Sequence, residues 1–231
     1  MAQLDRSLIA SAPTFAGMSP EALDDILAQA TPLRVPKGEA AFRQGEQADR
    51  FFLLLHGRLR VTRLNPQGQQ MVVRFIAPGD MFGVAMAIKV DAYPGTATAA
   101  VDSLALSWPN AAWKDLLARH PGLAVNTMQA LGARLQDSQE RILDLSTQQV
   151  EQRIAGAVLQ LAQQAGRKTD DGTLIDFPLS RQDLAEMTGA TLFTVSRTLS
   201  AWEEQGLVER GRQRVVVRDM AGLQALARKQ D

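Results

Sequence analysis

The sequence predicts an α+β chain: an all-β N-terminal half, then one long helix, then a small C-terminal domain of short helices and a β-hairpin. Three observations predict it. From Pro32 to about Ser107 short apolar runs alternate with Gly38, Gly45, Gly57, Gly68, Gly79 and Gly83, a punctuation every 8–12 residues or so that marks a β-barrel or sandwich. From Gly122 to about Ser146 no proline interrupts a stretch rich in Ala, Leu, Gln, Arg and Glu. From Leu179 to Val217 two helix-start signals, a turn glycine and two β-type runs follow one another.

The elements come in order. Ser19-Pro20-Glu21 supplies an N-cap, a proline at the first helical position and an acid in the first turn, and Leu23, Ile26 and Leu27 make one apolar face of a short helix over 19–30. The β runs are Phe51–Leu55, Leu59–Leu64, Met71–Ile76, Thr96–Val101 and Leu104–Ser107, with Asn65-Pro66-Gln67-Gly68 as a turn. Helix returns at Asn110–Arg119 and again after Pro121. In the long helix Met128, Leu131, Leu135, Ser138, Ile142 and Leu145 recur at alternating three- and four-residue steps, an a/d seam with one polar member. Packing on its own domain is the plainer account, but about 25 helical residues span about 37 Å, more than one small domain covers. A two-chain coiled coil fits better. A further helix runs from Val150 to Gln164, and the polar Arg167–Gly172 reads as a loop. The expected divisions are 1–120, 121–147 and 148–231.

The C-terminal part is the most specific. Ser180 and Asp183 form a capping pair for a short helix with Leu184 and Met187 inward. Gly189 ends it, because a tight helix-to-helix turn needs a residue that tolerates positive φ. Thr191 caps a second helix to about Gln205, whose Val195, Leu199 and Trp202 face inward while Phe193, Ser196, Arg197 and Ser200 face water. Two β runs then flank Arg210-Gly211-Arg212-Gln213. This is the arrangement of a winged helix-turn-helix, whose second helix enters the major groove of DNA. Between Leu207 and Arg218 four arginines stand against one glutamate, local charge where phosphates would lie.

Composition excludes much else. The 231 residues carry 25 Lys+Arg and 25 Asp+Glu, so no global field points to nucleic acid or membrane. With no cysteine there is no disulfide, thiolate zinc site or cysteine-held iron–sulfur cluster. The N-terminus shows no basic segment followed by an apolar stretch, and no apolar run is long enough to span a membrane, so the expectation is a cytoplasmic protein. No nucleophile–base pair, metal-ligand cluster or phosphate-cradling loop suggests an enzyme.

With these residues in view, the chain resembles the CRP/FNR family of bacterial transcription regulators over nearly its whole length. The resemblance is carried by Lys37-Gly38-Glu39, Arg43-Gln44-Gly45-Glu46, Phe51–Gly57, Pro78–Gly83, Ser180–Ala185 and Thr194–Arg197. It implies an N-terminal β-roll (a cyclic-nucleotide-binding-like jelly roll), a dimerisation helix and a homodimer on a pseudo-palindromic DNA site, with RNA polymerase as a further partner. It also implies that Arg197 reads a guanine with Ser196 beside it, and that Ser180, Arg181 and Thr191 lie near phosphates with Gln182 adjacent; Arg212 joins them from the wing. Relatives usually carry glutamate where this chain has Phe193. A phenyl ring cannot accept a proton from cytosine N4, though it can touch a thymine methyl.

The second departure concerns the effector. Members that bind cyclic AMP present an acid and an arginine in the phosphate cassette, where this chain has Gly83-Val84 and Gly95-Thr96, and Ser138-Gln139 replaces a Thr-Ser pair on the long helix. A phosphodiester in an apolar cavity without a cationic partner is costly, so cyclic AMP is not the expected effector. An apolar pocket of Met81, Phe82, Val84, Met86 and Ile88 against Leu131 and Leu135 is expected instead. The resemblance extends to denitrification regulators that answer to nitric oxide, some through haem. The only histidines are His56 and His120, each read as a surface or turn residue before a ligand. A regulator without an effector, its pocket filled by its own side chains, is the standing alternative.

Overall fold

The computed structural model describes residues 4–85 and 90–228. The described chain divides into two compact units, one ending at Gln67 and resuming over Arg74–Asp137, the other taking Gly68–Val73 and the chain from Ser138 onward. Met86 and Ile88 lie outside the described residues.

The first unit opens with α1 (Ser7–Ala10) and α2 (Pro20–Leu27); Ser19 Oγ accepts the Ala22 N–H at 3.3 Å, as the capping signal requires. Eight strands follow: β1 (Thr31–Val35), β2 (Ala40–Phe42), β3 (Arg50–His56), β4 (Leu59–Leu64), β5 (Gln70–Ile76), β6 (Met81–Phe82), β7 (Thr96–Ala99) and β8 (Ser103–Pro109). They form two four-stranded sheets ordered β1-β8-β3-β6 and β2-β7-β4-β5, the expected double-sheet roll. β1, β2 and β6 were not legible, being short or carrying too few apolar residues to show a period. The sheet faces bury two clusters. In one, Phe51 stacks on Trp108 with centroids 5.4 Å apart, and Trp108 Nε1 donates to the Ile26 carbonyl at 2.8 Å, fastening α2 to the roll. In the other, Phe42 stacks on Tyr93 at 3.9 Å and Phe52 on Phe82 at 4.9 Å. α3 (Trp113–Arg119) leads into α4 (Pro121–Thr147).

In the second unit α5 (Val150–Ala165) is followed by β9 (Gly166–Thr169) and β10 (Gly172–Ile175), then α6 (Arg181–Thr188), α7 (Leu192–Glu204), β11 (Val208–Gly211), β12 (Arg214–Val217) and α8 (Met220–Arg228). The stretch expected as a polar loop, Arg167–Gly172, is instead most of a hairpin whose strands join the wing in one sheet, β11-β12-β10-β9. β9 is an edge strand exposed along most of its length, so its polarity reflects a sheet edge facing water, not an absence of structure. Gly172 allows the close approach: a Cβ there would lie 2.3 Å from the Val217 carbonyl oxygen. Ile154, Val158 and Leu161 of α5 are buried with Leu184, Val195, Leu199 and Trp202.

Candidate nucleic-acid interface and effector site

Local chemistry sets the geometry of α6 and α7. Ser180 Oγ accepts the Asp183 N–H at 3.0 Å while the Asp183 carboxylate accepts from Ser180 N at 2.9 Å and Oγ at 2.6 Å, a reciprocal box that satisfies a buried acid. Gly189 turns the chain at φ 65°, left-handed as the turn requires. Thr191 Oγ1 then accepts the Thr194 N–H at 3.1 Å and starts α7. Val195, Leu199 and Trp202 are fully buried, and Trp202 Nε1 donates to Glu151 Oε1 at 2.9 Å, which fixes α7 to α5. The outward face carries Phe193, exposed by 73 %, Arg197, also exposed, and the half-buried Ser196.

The predicted DNA residues fall into two groups. Ser180, Arg181, Gln182 and Arg212 line one cleft of about 460 Å³ between the start of α6, α7 and the wing. Thr191, Phe193, Ser196 and Arg197 belong to α7 and its cap. The wing is less basic than its sequence suggests. Arg210 is paired with Glu203, which the fold brings in from α7, and Arg214 and Arg218 both pair with Glu209. Hydrogen bonds from Arg210 hold the Glu203 carboxyl below its ordinary range, and those from Arg218 do the same for Glu209. Among the described residues Arg212, at the turn beside Gln213 (φ 56°), is the wing arginine without an ion pair.

On α4 the predicted seam is an apolar stripe. Met128, Leu135 and Ile142 are exposed by 65, 61 and 63 %, Leu145 and Ser138 are exposed, and Leu131 is half-buried.

Around β6 the structure separates residues that the sequence grouped. Met81 and Phe82 point to opposite faces, Met81 into the cluster with Trp108 and Phe82 into the aromatic stack, so they share no lining; Val84 packs on the Met81 side. Thr96, at the cassette position, is held structurally: its Oγ1 accepts the Gln44 N–H at 2.9 Å. Arg74 of β5 and Arg134 of α4 were missed. Both donate to the Met81 carbonyl, at 3.4 and 2.6 Å, with the Asp80 carboxylate 3.9 Å from Arg74. Burial, then the charge of Arg134, pushes the Arg74 guanidinium down to about 10; burial also lowers Arg134. The signal was an arginine inside an apolar strand run.

The histidines do not suit haem. His120 Nε2 is hydrogen-bonded to Asp25 Oδ2 at 2.6 Å, and Asp25 also pairs with Arg119; His56 is exposed at the end of β3.

Fold and surface together define a class of protein, a winged helix-turn-helix regulator carrying a cyclic-nucleotide-binding type of domain. Residues 32–120 match the family model of the cyclic nucleotide-binding domain, and residues 152–226 that of the Crp-like helix-turn-helix domain. The chain is 30% identical over 215 residues to the cyclic AMP receptor protein of Thermus thermophilus, covering 93% of this chain and 96% of that one. It is 26% identical over 221 residues to the CRP-like cAMP-activated global transcriptional regulator of Mycobacterium tuberculosis, covering 96% and 99%. FixK2 from Bradyrhizobium japonicum shares the fold at a TM-score of 0.76, with 23% identity and coverage of 87% and 99%. The chain belongs to the CRP/FNR family. It is a DNA-binding transcription regulator and not an enzyme.

Proposed function

We propose that the protein acts as a homodimer on a pseudo-palindromic operator, with one α7 in each of two successive major grooves about 34–36 Å apart. We assign 1–120 as the effector domain, 121–147 as the dimerisation helix and 148–231 as the DNA-binding domain. The observation that carries this reading is the outward face of α7, where Arg197 is exposed beside Ser196, with no ion pair among the described residues, while the opposite face is locked into the core. A planar guanidinium fork matches guanine O6 and N7. Ser180, Arg181, Gln182, Thr191 and Arg212 hold backbone phosphates. The α4 stripe supports the dimer, since an apolar row along a helix is covered most simply by the same row of a second copy. Cytoplasmic action, with RNA polymerase as partner, follows from this class of regulator.

The effector reading rests on separate observations. The relatives named for cyclic AMP are only distantly similar, and here Val84 packs on an apolar cluster and Thr96 is spent on Gln44, so neither cassette position offers a charge. Haem has no suitable histidine. Arg74 and Arg134, two guanidinium groups drawn to one carbonyl with Asp80 beside them, suit a small anion other than cyclic AMP, held from β5 and α4. The effector-free regulator stays as a second reading, favoured by the Phe42, Phe52 and Phe82 stack that fills the roll with its own side chains. Binding of the full-length protein to a randomised DNA pool, with sedimentation of the complex, tests the main reading: a two-fold-symmetric consensus bound by a dimer is expected, and a non-symmetric site or a bound monomer overturns it.

A further inference from the structure

We infer that Phe193 reads a thymine methyl group, and that the thymine lies within two base pairs of the guanine read by Arg197. The inference rests on α7 being the recognition helix.

The hydroxyls of α7 narrow the choices. Thr191 and Thr194 are bonded to each other at 2.9 Å, and Thr191 Oγ1 also caps the helix. Ser200 donates to the Ser196 carbonyl and accepts from Arg210. What this face offers to base edges therefore comes down to Ser196, Arg197 and the ring of Phe193. That ring is exposed by 73 % and has no aromatic partner among the described residues. Leu192, exposed by 48 %, borders the wing cleft. A phenyl ring gains by losing water only against an apolar group, and the C5-methyl of thymine is the apolar group in the major groove. The ring is continuous with Arg197: four residues along a helix are about 6 Å, and base pairs repeat every 3.4 Å or so. One side chain then reads a G·C pair and the other a T·A pair less than a helical turn away. A cytosine in that place would leave its N4–H unsatisfied against the ring.

The test uses the selected operator with each thymine replaced in turn by deoxyuridine, which deletes the methyl and leaves base pairing intact. At one thymine per half-site, within two base pairs of the Arg197-dependent guanine, uracil should weaken binding about fourfold, the equivalent of one buried methyl. In Phe193→Ala the uracil and thymine operators should bind equally, while the guanine preference persists. Phe193→Leu, which keeps an apolar contact and the helix, should retain part of the discrimination. Equal binding of uracil and thymine operators by the wild type overturns the inference, as does a uracil effect that survives in Phe193→Ala. If Arg197→Ala instead lowers affinity alike for all sequences, Arg197 is a phosphate anchor and its base readout, against which the thymine is placed, has failed, an outcome distinct from either.

Discussion

Arg74→Met should make the N-terminal unit more stable. Folding pushes the Arg74 guanidinium down to about 10, first by burial and second by the neighbouring charge of Arg134, against the partial relief of Asp80 and Asp137. Each tenfold in proton affinity is about 1.4 kcal/mol, so keeping the charge costs about 3 kcal/mol. The side chain is still 29 % exposed, and water screens part of that penalty. Methionine also gives up one hydrogen bond to the Met81 carbonyl, but Arg134 still donates there at 2.6 Å, so no acceptor is orphaned. A net gain of about 1–2 kcal/mol is expected. The sign with pH is definite. Because the folded value lies below the unfolded one, the penalty is fully present below pH 10 or so and fades only above it; the gain should be the same at pH 6 and pH 8. Urea unfolding of the full chain, followed by tryptophan fluorescence from Trp108 and Trp113, measures it. Inorganic phosphate should raise the midpoint of the wild type and not of Arg74→Met. A variant less stable than wild type by 1 kcal/mol or more would show that the guanidinium is a structural strut and refute the electrostatic argument.

Leu135→Glu places an unpaired charge in the proposed dimer seam at a cost of several kcal/mol; sedimentation should give a monomer, and a stable dimer would remove the seam. Cyclic AMP at millimolar concentration should neither bind by calorimetry nor alter DNA affinity, because positions 84 and 96 are valine and threonine; saturable micromolar binding would reverse that assignment. Arg197→Ala should cost about 1–3 kcal/mol per half-site and relax preference at a single base pair in a variant library. Loss of affinity without loss of preference would make Arg197 a phosphate anchor.

The parts legible in the sequence are those where local chemistry and tertiary packing agree. The Ser180–Asp183 box, the left-handed Gly189 and the Thr191 cap are local devices, so their geometry could be read before any fold was known. The long helix was legible for the same reason, having strong helix formers and no breaker over its length. Arg167–Thr169 was not, since an exposed edge strand has the composition of a loop and gains its structure from β10. The convergence of Arg74 and Arg134 on Met81 joins three separated segments and leaves no periodic trace. Grouping Met81 with Phe82 ignored the strand alternation that sends neighbours to opposite faces. The glutamate that quiets Arg210 sits on α7, outside the stretch over which wing charge was counted.

That last pairing has a consequence for how a chain with no net charge holds DNA. Counting the wing arginines by sequence predicts a steep dependence on salt, but Arg210 is already paired with Glu203, and Arg214 and Arg218 share Glu209, so these three contribute one net charge and not three. Among the described residues the arginines of the cleft that hold no ion pair are Arg181 and Arg212, two per protomer. On the proposed reading Arg197 contacts a base and releases no counterion from phosphate. Four phosphate contacts per dimer, at 0.9 or so each, give a slope of log affinity against log salt of about −4. Arg212→Ala should weaken binding to every sequence alike and flatten the slope to about −2. Affinity measured between 50 and 300 mM potassium chloride decides. A wild-type slope steeper than about −8 would mean that the paired arginines leave their glutamates for the phosphates on binding, and the wing would then be an induced clamp and not the preformed surface described above.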